Sequence, residues 1–134
     1  MDKPVLIGFS DVAPHLIKMQ KEILPLHQGM QVYLSTLNPI VYFRWGKHTT
    51  NRELAKIHIP PVGKTYTICF NPVLDSVGIP AEVLMSFLWH EYVHIYKPPF
   101  KEGDRWINHY PEFHEVERRD PNYYFSNRWI RENL

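Results

Sequence analysis

The run FLWHEYVHIYKPP, residues 87–99, sets His90, Glu91 and His94 in the order His-Glu-x-x-His. On a helix, residues four apart share a face and lie about 6 Å apart along the axis, so His90 and His94 can offer two imidazole nitrogens to one metal ion. Val83 and Phe87 extend that face one and two turns earlier, as a core-facing stripe. Glu91 is turned by about 100° from His90 and about 60° from His94. That direction makes it a poor third ligand and a good neighbour for water on the metal. The chemistry this spacing serves is hydrolysis: two histidines hold Zn²⁺, and the glutamate accepts a proton from the water that attacks a carbonyl. At this chain's own His and Glu frequencies the pattern would arise by chance about 3% of the time. Histidines left unpaired inside so apolar a helix would cost several kcal/mol in desolvation.

A catalytic zinc takes a third protein ligand and keeps one position open. His109, Glu112, His114, Glu115 and Glu117 are the downstream candidates. Glu115 would complete a His-His-Glu set, whereas His114 or Glu115 could instead orient an imidazole. Tyr92, Tyr96 and Tyr110 each carry a hydroxyl able to face an oxyanion, although packing is the default role of so many aromatics. His48 and His58 have no ligating spacing. Cys69 reads as a small apolar strand residue, and Arg118, Arg119 and Asp120 as a solvated face.

The elements that must position these residues follow from periodicity. Leu16, Ile17, Met19, Ile23 and Leu24 predict a helix over 11–27, closed or kinked by Pro25. The segments 31–36 and 40–45, with an Asn38-Pro39 turn between them, read as strands, as do 55–59 and 64–71. In the last of these, Tyr66, Ile68 and Phe70 alternate with Thr65, Thr67 and Cys69. Pro80 fits a first helical position, and no breaker follows until Pro98-Pro99, so 81–96 is a long helix buried on most sides. A loop over 97–110 leads to a short helix opened by Pro111 and stopped by Asp120-Pro121, then to a short aromatic helix near the end. The expected class is α+β: an N-terminal helix, a small and mainly antiparallel sheet, the long buried helix and short C-terminal helices, in one domain spanning 1–134.

Composition narrows the function classes. The 134 residues carry 44% hydrophobic and 22% charged residues, as soluble globular proteins do. A formal charge of +1 supplies no electrostatic footprint for nucleic acid or an anionic membrane. One cysteine cannot form an internal disulfide, no run approaches a membrane span, and the N-terminus lacks a signal-peptide core. A cytoplasmic location is expected.

Further residues carry a resemblance. His109-Tyr110-Pro111-Glu112-Phe113, Asn71-Pro72 ending a strand before the helix, and the tail RRDPNYYFSNRWIREN are together similar to SprT-like and YgjP-like zinc metallopeptidases, over about residues 64–132. That resemblance implies a zincin-like fold, one Zn²⁺ per chain held by His90, His94 and His109, Glu91 as general base, and a peptide or protein substrate. An edge strand would hold the substrate, for which 55–59 is the candidate, with 97–108 as a lid or specificity wall. Tyr110 stands where the family has a small residue, and the segment between His94 and His109 is longer than the YgjP-like pattern. No cysteine cluster or basic tail accompanies the motif, so the DNA-directed role of some SprT-like proteins is not implied. The alternatives are a zinc-binding module without peptidase activity and a zinc hydrolase with a non-peptide substrate such as RNA, which would not need Glu91.

Overall fold

The computed structural model describes residues 5–7, 37, 40–45, 53–71, 74 and 78–134. The helix expected over 11–27, the strand over 31–36, the Asn38-Pro39 turn and His48 lie outside them.

Four strands, Val5–Ile7 (β1), Ile40–Trp45 (β2), Ala55–His58 (β3) and Thr65–Phe70 (β4), form a sheet in the order β1-β2-β4-β3. The alternation in β4 turns Ile68 and Phe70 into the core, where Tyr66 packs against them, while Cys69 is buried on the opposite face. Ala55 pairs with Phe70 and Ile57 with Ile68, so Ala55 and Ile57 share that core face. Gly63, at φ 95, occupies the left-handed region in the turn joining β3 to β4.

The α+β class is as expected, with two differences in the sheet. The β3–β4 pair is antiparallel, but β2 runs parallel to both β4 and β1. Alternation reports which side chains share a face and is silent about the direction of the neighbour. Direction depends on the connection. The chain leaves β2 at Trp45, opposite Phe70, and re-enters the sheet at Ala55, on the other side of the same Phe70. The second difference is β1, a three-residue strand that no periodicity marks. Among the described strands β3 stands at the end of the order, the edge position expected for 55–59.

Asn71 fixes where that edge begins. It is buried after β4; its backbone N–H donates to the Leu54 carbonyl at 2.9 Å and its side-chain amide donates to the Glu53 carbonyl at 3.2 Å.

The long helix, α1, spans Ala81–Tyr96. Pro80 is its cap rather than its first residue, with ψ 142 in the extended region, and Glu82 adds favourable charge in the first turn. At the other end Lys97, at φ −120 and ψ 77, precedes proline and so is kept from helical geometry. Val83, Leu84, Leu88, Tyr92 and Val93 are fully enclosed. Burying each aliphatic side chain among them contributes about 1.5–3 kcal/mol.

Residues 97–110, expected to be a loop, contain a hairpin of Phe100–Glu102 (β5) and Arg105–Ile107 (β6). Its turn is Gly103-Asp104, with Gly103 at φ 63, a conformation glycine adopts without steric cost. Two helices close the chain, Pro111–Glu117 (α2) and Tyr123–Asn133 (α3). They begin where proline and the Asp120-Pro121 break placed them. Phe113 and Val116 of α2 enter the core against α1, and the Trp89 indole donates to the Val116 carbonyl at 3.1 Å. Ser86 of α1 and Ser126 of α3, 2.7 Å apart at their hydroxyls, are small enough to let those helices approach closely.

Candidate metal centre

α1 positions the first two histidines, and the loop entering α2 supplies the third. His90 and His94 stand one turn apart on the α1 face that meets α2. His109 lies two residues before Pro111, the proline that starts α2 with its fixed φ. Tyr110, in extended geometry at the cap, donates its hydroxyl to the Pro98 carbonyl at 3.0 Å and packs its ring edge-on to Phe100 of the hairpin. Tyr110 thus ties the start of α2 to the end of α1 and to β5. His109 is held between them.

The three imidazoles form a near-equilateral triangle. Ring centroids are 5.0 Å apart for His90–His94, 5.1 Å for His90–His109 and 5.0 Å for His94–His109. One nitrogen from each lies within 4.8 Å of the others, and Nε2 of His109 is 3.3 Å from Nε2 of His94. Beneath the triangle sits Phe113, fully buried, with its ring 5.1, 4.9 and 4.6 Å from His90, His109 and His94 respectively. Such a cluster can chelate a divalent metal. The donors are neutral nitrogens of the borderline-soft kind that Zn²⁺ accepts, and the hydrocarbon floor excludes water from below.

Electrostatics favour the neutral, ligating form at two of the three donors, His94 and His109. Burial, then repulsion from His90 and His109, lowers the His94 pKa to about 3. His109 is also lowered, by burial and by the neighbouring His90. Burial acts downward on His90 too, but its hydrogen bond to Glu117 and the charges of Glu91 and Glu117 outweigh it and leave its pKa raised. An imidazole that stays neutral keeps the lone pair a metal needs.

Glu91 has 4% of its surface exposed. Burial pushes its carboxyl up, His90 opposes this, Glu53 adds to it, and the result is about 7. It lines, with His90, two adjoining hollows. One, of about 390 Å³, runs between the histidines and the edge strand and is bordered by Ala55, Lys56, Ile57 and Asn108. The other, of about 290 Å³, lies between α1 and the C-terminal helices and is bordered by Leu54, Phe87, Asp120 and Tyr123.

Among the candidate third ligands, only His109 joins His90 and His94. Glu112 is exposed on α2, and Glu115 is exposed and paired with Arg119 at 3.1 Å, so the His-His-Glu alternative is not assembled. Glu117 and His114 form a second layer. Glu117 bonds Nδ1 of His90 through Oε2, and through Oε1 it meets Nδ1 of His114 at 2.9 Å. Burial would raise the Glu117 carboxyl, but its bonds to the two histidines prevail and hold it at about 2. The tyrosines take structural positions: Tyr92 is in the core, Tyr110 is bonded to Pro98, and Tyr96 carries the Lys97 ammonium 5.1 Å from its ring. His58 is exposed on the sheet edge and Cys69 is the buried strand residue expected of it.

Asp120 corrects the reading of 118–120 as a solvated face. Arg118 and Arg119 are exposed, but Asp120 is only 5% exposed; it accepts from the Ser86 hydroxyl at 2.6 Å and from the Asn122 backbone N–H at 2.9 Å. Its pKa is raised by burial, against those two bonds. The Asx-turn onto Asn122 was readable from Asp-Pro-Asn, but the partner 34 positions away was not.

Comparison with protein-family models, with curated proteins and with solved structures gives no match to this chain.

Proposed function

We propose that the protein is a zinc-dependent metallopeptidase of the SprT-like and YgjP-like kind, hydrolysing peptide bonds. The observation that carries this reading is the triangle of His90, His94 and His109 with the buried Glu91 carboxyl beside it. These three histidines would hold one zinc ion, which when bound acts as a Lewis acid toward water and the scissile carbonyl. Glu91 is the general base. A carboxyl brought to about 7 by burial exchanges its proton near neutral pH, which suits both taking a proton from water and returning it to the leaving amine.

Substrate recognition follows from the edge. β3 ends the strand order and borders the hollow that holds the histidines, so an extended peptide adding to β3 would cross directly over them. Ladder bonds to the main chain bind a peptide irrespective of its sequence. The β5–β6 hairpin, tied by Tyr110, forms the wall at the far end of α1. Among the described residues no helix is long and apolar enough to cross a membrane.

The test is metal analysis of the purified protein joined to a peptidase assay on unfolded protein. About one zinc per chain, hydrolysis lost with a chelator and restored by zinc, is the expected result. A protein that neither contains zinc nor takes it up sinks the reading.

A further inference from the structure

We infer that Glu117 is a positioning residue for the metal centre: its carboxylate holds His90 with the proton on Nδ1, so that Nε2 is presented toward His94 and His109, and His114 braces the carboxylate from behind. The inference rests on the proposal that the three histidines bind metal, and it assigns a function to two residues that do not reach the metal themselves.

The geometry carries it. Among the described residues, the hydrogen bond that Nδ1 of His90 makes is to Oε2 of Glu117. A neutral imidazole has one N–H and one lone pair, and a carboxylate can only accept, so this bond places the hydrogen on Nδ1 and the lone pair on Nε2. The second oxygen is occupied too, by Nδ1 of His114 at 2.9 Å, one turn back on the same helix. With both oxygens engaged and a side chain 16% exposed, the carboxylate has little rotational freedom.

α2 therefore reaches the centre from both ends. Its entry carries His109, its last residue is Glu117, and Phe113 between them presses on all three histidine rings. A shift of α2 would displace a ligand and the brace of another ligand together. His94 and His109 have no carboxylate partner of this kind among the described hydrogen bonds, which makes His90 the histidine whose orientation is set in advance. Carboxylate partners of ligating histidines typically change metal affinity 10–100-fold when removed.

The experiment compares wild type with Glu117→Ala, Glu117→Gln and the exposed-pair control Glu115→Ala. Zinc affinity is read by chelator competition, and the tautomer of His90 by ¹⁵N–¹H correlation in metal-free protein, at the alkaline end of a titration that has brought its ring to the neutral form. Wild-type His90 should carry its proton on Nδ1. Glu117→Ala should lose that preference and bind zinc about 10–100-fold more weakly. Glu117→Gln keeps an acceptor oxygen, so it should retain the tautomer and recover part of the affinity. Glu115→Ala should match wild type within about twofold, as expected for an exposed pair. A protein that takes up no zinc in wild-type form overturns this inference together with the proposed function. Normal zinc uptake by wild type with equal uptake by Glu117→Ala, or a wild-type His90 protonated on Nε2, overturns the inference alone. Should Glu117→Ala fail to fold, Glu117→Gln and His114→Ala decide it: zinc binding weaker than wild type in either supports the inference, and no change in both refutes it.

Discussion

Nε2 of His109 stands 3.3 Å from Nε2 of His94, although 15 positions separate the residues and only one belongs to a helix. Two nitrogens bound tetrahedrally to zinc at about 2.0–2.1 Å would be roughly 3.3–3.4 Å apart. The chain thus brings these imidazoles to the spacing the ion requires. His109→Ala should weaken zinc binding by more than tenfold, about 1.4 kcal/mol or more, while Glu115→Ala leaves it unchanged. Chelator competition measures both, and the reverse order would move the ligand role to Glu115.

Under the proposed function, Glu91 serves the reaction and not the ion. In Glu91→Gln the zinc content should be that of wild type while peptide hydrolysis falls about 10²–10⁴-fold, the usual scale of general-base loss. Turnover that survives the substitution would remove Glu91 from its role.

The pH dependence of metal-free stability has a sign that can be worked out. His94 has its pKa lowered from 6.5 to about 3, so on acidification from 6.5 the unfolded chain takes up a proton before the native one does, and stability is lost. Glu91 has its pKa raised from 4.5 to about 7, so between those values the native state binds the extra proton and stability is gained as pH falls. The two oppose one another between pH 4.5 and 6.5. Below 4.5 the loss at His94 continues, and Glu117, lowered from 4.5 to about 2, adds its own. Wild type should therefore be comparatively flat from 6.5 to 4.5 and fall steeply below. Glu91→Gln, lacking the opposing group, should already decline across 6.5 to 4.5. Urea midpoints with chelator present give both curves, and superimposable profiles would contradict the assignment.

Phe113 is packed beneath all three imidazoles and is fully buried. Phe113→Ala should cost about 3–5 kcal/mol of stability, from lost burial and the cavity left behind. Phe113→Leu, which refills most of the space, should cost less and retain more zinc. Denaturation midpoints and zinc titration together test this; equal stability of the two variants would mean that the ring does not support the site.

How much of this was legible in the chain depended on whether a local signal existed. α1 was bounded by Pro80 and Pro98, since proline is tolerated at a helix start but not in its interior, and its ends fall there. Pro111 marked α2 in the same way. The triad could be proposed because His90 and His94 share a helical face and His109 lies in a family-like motif. Strand direction in β2 and β4 left no such trace, since parallel and antiparallel neighbours impose the same alternation. β5 and β6, at three residues each, are shorter than a readable period, although Gly103-Asp104 between them was a turn signal. Asp120 looked like any surface acid, and Glu117 like one more possible ligand. Their burial is decided by Ser86 on α1 and by His90, residues far away in sequence.

Asn71 is 5% exposed and grips two successive carbonyls, of Glu53 and Leu54, at the point where β3 sets out. These bonds tie the start of β3 to the residue that follows β4, so the first step of the edge strand is held by main chain that already belongs to the sheet. Under the proposed function, a peptide laid along β3 would meet a strand whose start is anchored before it arrives. Binding would then cost little rearrangement on this side. Whatever adapts to different peptides would lie across from it, where the hairpin hangs from Tyr110.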